Sequence, residues 1–424
     1  TKKITKRKEI QMEKKKIKFH YGYIVLLATI IMNVYYACSY SVVSQFMSPI
    51  LTEYPEISRT QFSLVFSIHA LSSAIYLTQF GKVNQLLKNE NVPILGGLGL
   101  AAGFFIYSTT SNIYVFYCGA LLVGLCAAFF SSAITITLLN KWFAKGQATL
   151  LAVSMTAGAL GGTVGSKIVG SAIGNIGYAA TLRYIAIGMV IVVVVVRLLL
   201  RKDPKELGIT PCFADQVEAK ADDGKKVELP GITLKQALKT YNFYAILGVF
   251  LLFGMCFYAT YSNLSVYMAD LGFDPALIGS IFGMIFLVNA ITMIPGGAVA
   301  DWLGCRITML VLICAFIACV ALMAFTVPSA TIMYVVCILM GIAYLFPKVL
   351  SCAMVNSAFG PKDSASFTGW IQAMICVGAF IGSPILNAVY DITKSYSGAF
   401  IAMIPVMIVC AILGFTGIKK VKGW

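Results

Sequence analysis

Gly297-Ala-Val-Ala-Asp301-Trp-Leu-Gly304-Cys-Arg306 lies between two long apolar runs, and its reading decides how the chain folds. The Gly-x-x-x-Asp-x-x-Gly-x-Arg spacing fits a short turn joining two membrane helices on the cytoplasmic side. The glycines let helices approach closely. The aspartate can accept hydrogen bonds from a neighbouring helix N-terminus, where its charge complements the dipole. The arginine can pair across the same seam. Gly297, Asp301, Gly304 and Arg306 therefore read as a conformational latch without direct solute contact.

Composition supports a membrane setting. The 424 residues are 59% hydrophobic and 12% charged, whereas soluble domains carry about 25% charged residues. Mean hydropathy is +0.86. Apolar runs near the ~20 residues that span a bilayer recur throughout, clearest at 23–40, 113–139, 179–200, 243–264, 307–327 and 397–415. The expected fold is an all-α membrane protein of about twelve transmembrane helices. Their approximate ranges are 22–48, 60–82, 92–110, 113–140, 147–173, 179–200, 242–267, 275–297, 307–327, 330–355, 364–388 and 396–417.

The net charge of +15 would suggest nucleic acid in a soluble protein. Here the charge collects at helix ends, with no aromatic-interleaved basic surface, and no nucleic-acid partner is expected. Residues 1–18 hold nine Lys or Arg, the excess expected of a cytoplasmic N-terminus, and no cleavable signal peptide is recognised. Lys82, Lys88, Lys141, Lys145, Arg306, Lys362 and the tail lysines fall on one side of the helix count. Glu53, Glu56, Asp270 and Asp274 fall on the other. Both termini are thus expected in the cytoplasm of a multi-pass cell-membrane protein, in a bacterial inner membrane, working as a monomer.

The one long polar stretch inside the chain, 201–241, separates six spans from six and contains Pro204, Pro211, Gly224 and Pro230, as a linker would. The expected organisation is a basic tail at 1–20, a six-helix bundle at 21–200, a cytoplasmic linker at 201–241, a second bundle at 242–417 and a tail at 418–424. A weak internal repeat supports two pseudo-symmetric halves. Asn140-Lys-Trp-Phe-Ala-Lys145 with Gly158-Ala-Leu-Gly-Gly162 parallels Phe359-Gly-Pro-Lys362-Asp with Gly378-Ala-Phe-Ile-Gly382. The opening turn has a degenerate first-half copy at Gly81, Asn84 and Lys88.

The opening turn resembles the loop signature of the major facilitator superfamily, the rocking-bundle secondary transporters. Five further patterns are similar to its branch of oxalate:formate antiporters and monocarboxylate transporters. They are Tyr21-Gly-Tyr-Ile24, Asn140-Lys-Trp-Phe143, Asp203-Pro-Lys-Glu-Leu-Gly208, Thr233-Leu-Lys-Gln-Ala-Leu238 and Tyr241-Asn-Phe-Tyr244. The resemblance implies alternating access around a substrate site near the bilayer midplane. It also implies a cation clamp that this chain lacks. Met293 stands where carboxylate carriers place an eighth-helix arginine, and Asn289 where monocarboxylate carriers have an aspartate. Ala373 or Met374 stands where the antiporter has a lysine.

Intramembrane charges are expensive, at least ~2.5–3.5 kcal/mol at the bilayer centre on insertion scales, so each needs a reason. Lys348 follows Pro347, which removes a backbone hydrogen bond and can kink the helix toward a cavity. It either replaces the missing clamp or snorkels to the cytoplasmic surface. Lys167, among small residues, either meets substrate or a gate, or snorkels outward. His69 is either a proton-coupling residue or a hydrogen-bonded packing histidine. Asn33, Tyr36 and Tyr40 on the first helix, with Gln45 further along, join Tyr258, Tyr261, Asn289, Tyr344 and Gln372 as the neutral frame of the pocket.

No paired intramembrane carboxylates, nucleophile–base pair or nucleotide-binding Gly-rich loop is recognised, so neither an enzyme nor a cofactor is expected. The twelve cysteines lack a Cys-x-x-Cys pair and read as packing residues. The expected activity is secondary active or facilitative transport of a small organic anion, most simply a monocarboxylate, by symport, antiport or uniport. The alternative is a neutral or zwitterionic solute, or export of an amphiphile.

Overall fold

The computed structural model describes residues 20–87, 90–130, 132–200, 204, 208, 210–213, 231–327, 329–360 and 362–418. Side chains at 77–86, 132, 133, 148, 294, 301, 352, 364 and 365 are not described. The basic residues of 1–18, Lys88, the tail lysines 419, 420 and 422, and the side chains of Asn84 and Asp301 therefore lie outside it; the backbone of the degenerate copy at 81–87 is described and is helical.

Among the described residues the chain folds into twelve long helical rods. The first half holds α1 (Gly22–Ser39, a 3₁₀ turn at Val43–Phe46, then Met47–Glu53), α2 (Arg59–Leu87) and α3 (Val92–Tyr107). It continues with α4 (Ile113–Phe129 and Ser132–Trp142), α5 (Gln147–Ile176) and α6 (Tyr178–Leu199). The second half holds α7 (Tyr241–Asp270), α8 (Pro275–Leu303) and α9 (Cys305–Phe325). It ends with α10 (Ala330–Ala343, a π-turn at Phe346–Leu350, then Ser351–Phe359), α11 (Ser364–Thr393) and α12 (Ser397–Gly417). Ten of these rods are long and apolar enough to span a bilayer. The other two are α2, which is richer in polar residues, and the shorter α3.

Local chemistry sets the ends. Asn112 accepts from Tyr114 N, Asp274 from Ala276 N ahead of Pro275, and Ser329 from Ile332 N, so side-chain oxygens satisfy orphan donors at three helix starts. Gly304, at φ +80°, closes α8 and opens α9, a left-handed backbone that a side chain would strain. The second glycine of the opening motif is therefore a turn residue. The first is not a contact point: a Cβ on Gly297 would meet nothing within 4 Å.

The first six rods pack among themselves, chiefly α1 with α5, α2 and α3 with α4, and α3 with α6. The last six do the same, through α7 with α11 and α12, and α8 and α9 with α10. The halves meet along two seams, α5 against α8 and α2 against α11. Small residues set those distances, as expected where lipid removes the hydrophobic drive between helices. A Cβ on Gly170 would lie 2.5 Å from Pro275 O, and one on Gly279 2.5 Å from Ser166 O. Outside, Tyr184, Ile187, Ile191, Val194 and Leu198 of α6 are exposed, an apolar face that only lipid covers comfortably.

The linker is held at both ends. Cys212 N donates to Trp142 O and Ala144 N to Cys212 O, while His20 Nε2 lies 2.9 Å from Thr210 O. Past the undescribed segment, Ile232 N donates to Phe359 O and Leu234 N to the Asp363 carboxylate. The near end thus belongs to the first half and the far end to the second.

Candidate functional site

Proline has no N–H to give, so Pro347 cannot complete the i→i−4 ladder of α10. The rod answers with a π-turn over Phe346–Leu350, the kind of local widening that often marks functional positions. Within that turn Phe346, Pro347 and Leu350 are buried, while Lys348 is solvent-accessible although protein surrounds it. Its Nζ donates to Asn289 Oδ1 at 3.1 Å and sits 4.4 Å above the Tyr344 ring. Lys348 thus lines an interior space, with an amide and an aromatic face beside its charge.

Five tyrosines gather around it from both halves. Tyr36 and Tyr40 stack with ring centroids 5.0 Å apart, and both stand close to Tyr344. Tyr344 lies 6.0 Å from Tyr261, and its hydroxyl approaches that of Tyr258. Tyr261 OH donates to Ser41 O at 2.7 Å, tying α7 to the break in α1. Gln372 is exposed and pairs with Cys376, which faces Tyr40. These residues lie near the middles of their helices, so the cluster they form is at mid-depth. Chemically it offers one cation, phenol hydroxyls and flat aromatic walls, enough to orient a small solute carrying a carboxylate or a planar group.

Other expected residues fall elsewhere. Asn33 Nδ2 donates within 3.0 Å to Thr29 O, Thr135 Oγ1 and Ser154 Oγ. It is 5% exposed and knits α1, α4 and α5 together rather than lining the cavity. Lys167 shares the exposed stripe of α5 with Leu160, Val164 and Ile168. The small residues around it do pack: a Cβ on Gly165 would strike Cys38, and one on Gly161 would strike Val34. His69 is buried with Nε2 2.7 Å from Tyr107 OH, and its ring lies 5.7 Å from Tyr40. It backs the tyrosine wall from behind.

Arg306 bonds to a neighbouring helix end within its own half. Its Nε donates to Ile418 O at 2.5 Å and the guanidinium lies 5.6 Å from the Phe415 ring, so it grips the end of α12 within the second half. Gln45 donates to Ser166 Oγ at 2.6 Å, toward the end opposite the linker.

That opposite end holds a group of residues which the sequence did not single out as a unit. Arg59, opening α2, makes a two-pronged pair with Asp270 at the end of α7, at 2.5 and 2.7 Å. It also donates to Tyr396 OH at 2.8 Å and lies 3.9 Å above the Tyr390 ring. Thr60 donates to Asp391 Oδ2 through both N and Oγ1. Ser67 Oγ donates to Phe380 O, and Ser166 Oγ to Gly279 O. Each bond joins one half to the other. Cys376, beside Tyr40, was also missed, although it sits four residues from Gln372 on the same helix face.

With this geometry established, comparison places the chain among known proteins. A family profile described as Major Facilitator Superfamily matches residues 29–351. Among solved structures, the nucleoside transporter NupG is similar at 14% identity, with a TM-score of 0.74, covering 94% of this chain and 100% of that one. A point mutant of the same transporter gives 15% identity and a TM-score of 0.75, over 93% and 100%. A bacterial homologue of the human lysosomal transporter Spinster, inward-facing and unoccupied, gives 14% and 0.69, over 94% and 97%. At these identities the likeness shows the fold alone. Among curated proteins no relative matches.

Proposed function

Since the chain belongs to the major facilitator superfamily, whose fold moves a small molecule across a membrane by alternating access, we propose that its cargo is a small organic anion, most simply a monocarboxylate. The observation that carries this reading is Lys348, held at mid-depth by Asn289 and Tyr344 and open to the interior space. A carboxylate there gains a charge-assisted hydrogen bond at a lysine whose placement in the membrane is itself costly. Tyr36, Tyr261 and Tyr344, with Gln372, frame the rest of the solute. Met293 is half-buried, and in this reading the cation comes from α10 where the resemblance implies α8. His69 behind Tyr40 is the candidate for proton coupling; exchange and uniport are equally compatible.

The loop charges support a cytoplasmic linker and termini, in a bacterial inner membrane. In that orientation the bonds of Arg59 and Thr60 close the outer face. The protein works as a monomer, its two six-helix bundles at 21–200 and 242–417 rocking about the site. The turn at Gly304, with Arg306 fastened to α12, stiffens the inner edge of the second bundle so that it moves as one body.

The second reading, a neutral or zwitterionic solute, is favoured by the five tyrosines, whose faces suit a planar ring as well as an acid. Uptake into proteoliposomes separates the two. Lys348→Gln, folded and reconstituted, should abolish carboxylate uptake. Full retention of transport would remove the lysine from the site and favour the neutral cargo.

A further inference from the structure

A cavity of about 640 Å³ opens at the end opposite the linker. It lies between α1, α5 and α6 of one half and α7 and α8 of the other. Ser265 lines it one helical turn beyond Tyr261, whose bond to Ser41 stands between this cleft and the tyrosine cluster. The volume lies within the range of small-molecule sites.

Its chemistry is opposite to that of the central space. Two residues of its lining, Gln45 and Ser265, are 5% and 2% exposed. Gln45 Oε1 and Ser265 Oγ have no hydrogen-bond partner, an expensive condition for buried polar atoms. Nearer the surface stand the exposed carboxylates of Glu53 and Asp274. Glu53 adjoins Tyr178, and Asp274 spends one oxygen capping α8. Pro49, Ile173, Phe273 and Ile278 supply apolar walls, and among the described residues no Lys or Arg lines the space. Buried polar side chains in the lining, exposed carboxylates at the mouth and hydrocarbon between them disfavour an anion and fit an ammonium group on a small apolar body.

We propose that this cleft is a binding site for a small organic amine, distinct from the central cavity. An amine seated there touches both bundles on the side where they are already joined. It therefore stabilises the conformation closed at this end and slows transport without competing for the central site. The inference stands whether or not the central cargo is an anion, because it uses no residue of that site.

The test uses the full chain purified in detergent, with benzylamine as the probe and benzyl alcohol and benzoate as controls. Benzylamine should raise the melting temperature saturably, and benzyl alcohol should not. The amine response should survive Lys348→Gln. The paired change Glu53→Gln and Asp274→Asn should raise the half-saturating concentration about tenfold, as loss of charge-assisted contacts predicts. Asparagine caps a helix as well as aspartate, and both positions are exposed, so this variant keeps its fold. Gln45→Leu gives an independent check from the floor and should weaken the response in the same direction. An equal response to the alcohol, an unchanged midpoint in the paired variant, or loss of the response in Lys348→Gln would each overturn the proposal.

Discussion

Replacing Arg59 with glutamine should release the end opposite the linker. The guanidinium there makes two charge-assisted bonds to Asp270, one bond to Tyr396 and a cation–π contact with Tyr390. Fully buried charged bonds contribute about 1.5–3 kcal/mol each, whereas exposed ion pairs contribute ~0–1. Side-chain exposures of 19% and 29% for Arg59 and Asp270 put the pair between those limits. A cation–π contact adds about 0.5–2 kcal/mol. Allowing for water that replaces part of this, loss of about 2 kcal/mol of closure is the working value. It converts to about a thirtyfold fall in the closed-to-open ratio. Azido side chains for dye attachment at Glu56 and Ser395, both exposed and in opposite halves, report that ratio by single-molecule energy transfer without touching the native cysteines. Arg59→Gln and Asp270→Asn should each widen the distance distribution, and the double variant should add little beyond either one. Unchanged distributions in folded singles and double would refute the assignment of these contacts to closure.

Gly279→Val should act on the same equilibrium through sterics, since even a Cβ there would sit 2.5 Å from Ser166 O. The expected result is an α5–α8 seam forced apart, read as a shift toward the open distances or as loss of monodisperse protein. Asn387→Leu breaks the bond from Asn387 Nδ2 to Asn263 Oδ1, 2.8 Å long, between α11 and α7. Destabilisation of about 0.6–1.7 kcal/mol is expected, read as a lowered melting temperature with substrate affinity kept. His69→Gln retains a hydrogen-bonding group opposite Tyr107. If the histidine only packs, uptake should keep its rate and its dependence on an imposed proton gradient; loss of the gradient dependence alone would assign it a coupling role.

The helix ladder was legible because most rods are long apolar runs with identifiable stops, and the membrane leaves few alternatives to closing every backbone bond within the segment. Pro347 likewise announced the irregular turn that carries Lys348. What stayed hidden depends on which face of a helix meets which neighbour. Asn33 shares a helix face with Tyr36 and Tyr40, yet its amide is consumed by Thr135 and Ser154 on other rods. Lys167 carried a charge that looked functional, but the surrounding pattern of exposed Leu160, Val164 and Ile168 becomes visible only once α5 is packed. Arg59 and Asp270 are 211 positions apart. Nothing local to either residue names the other, and only the meeting of the halves pairs them.

The linker's two attachments bear on how far the halves can travel. One is fastened beside Trp142 and Ala144, the other beside Phe359 and Asp363. The chain between Phe213 and Gly231 reaches roughly 60 Å when fully extended. That is far more than any rocking of helices across a cavity demands. A covalent link between the two attachments keeps the halves at high effective concentration, while the contacts that join them run along the α5–α8 and α2–α11 seams. A cut in that stretch should leave the halves able to associate and transport when co-produced, with the choice between open and closed still made along the α5–α8 and α2–α11 seams.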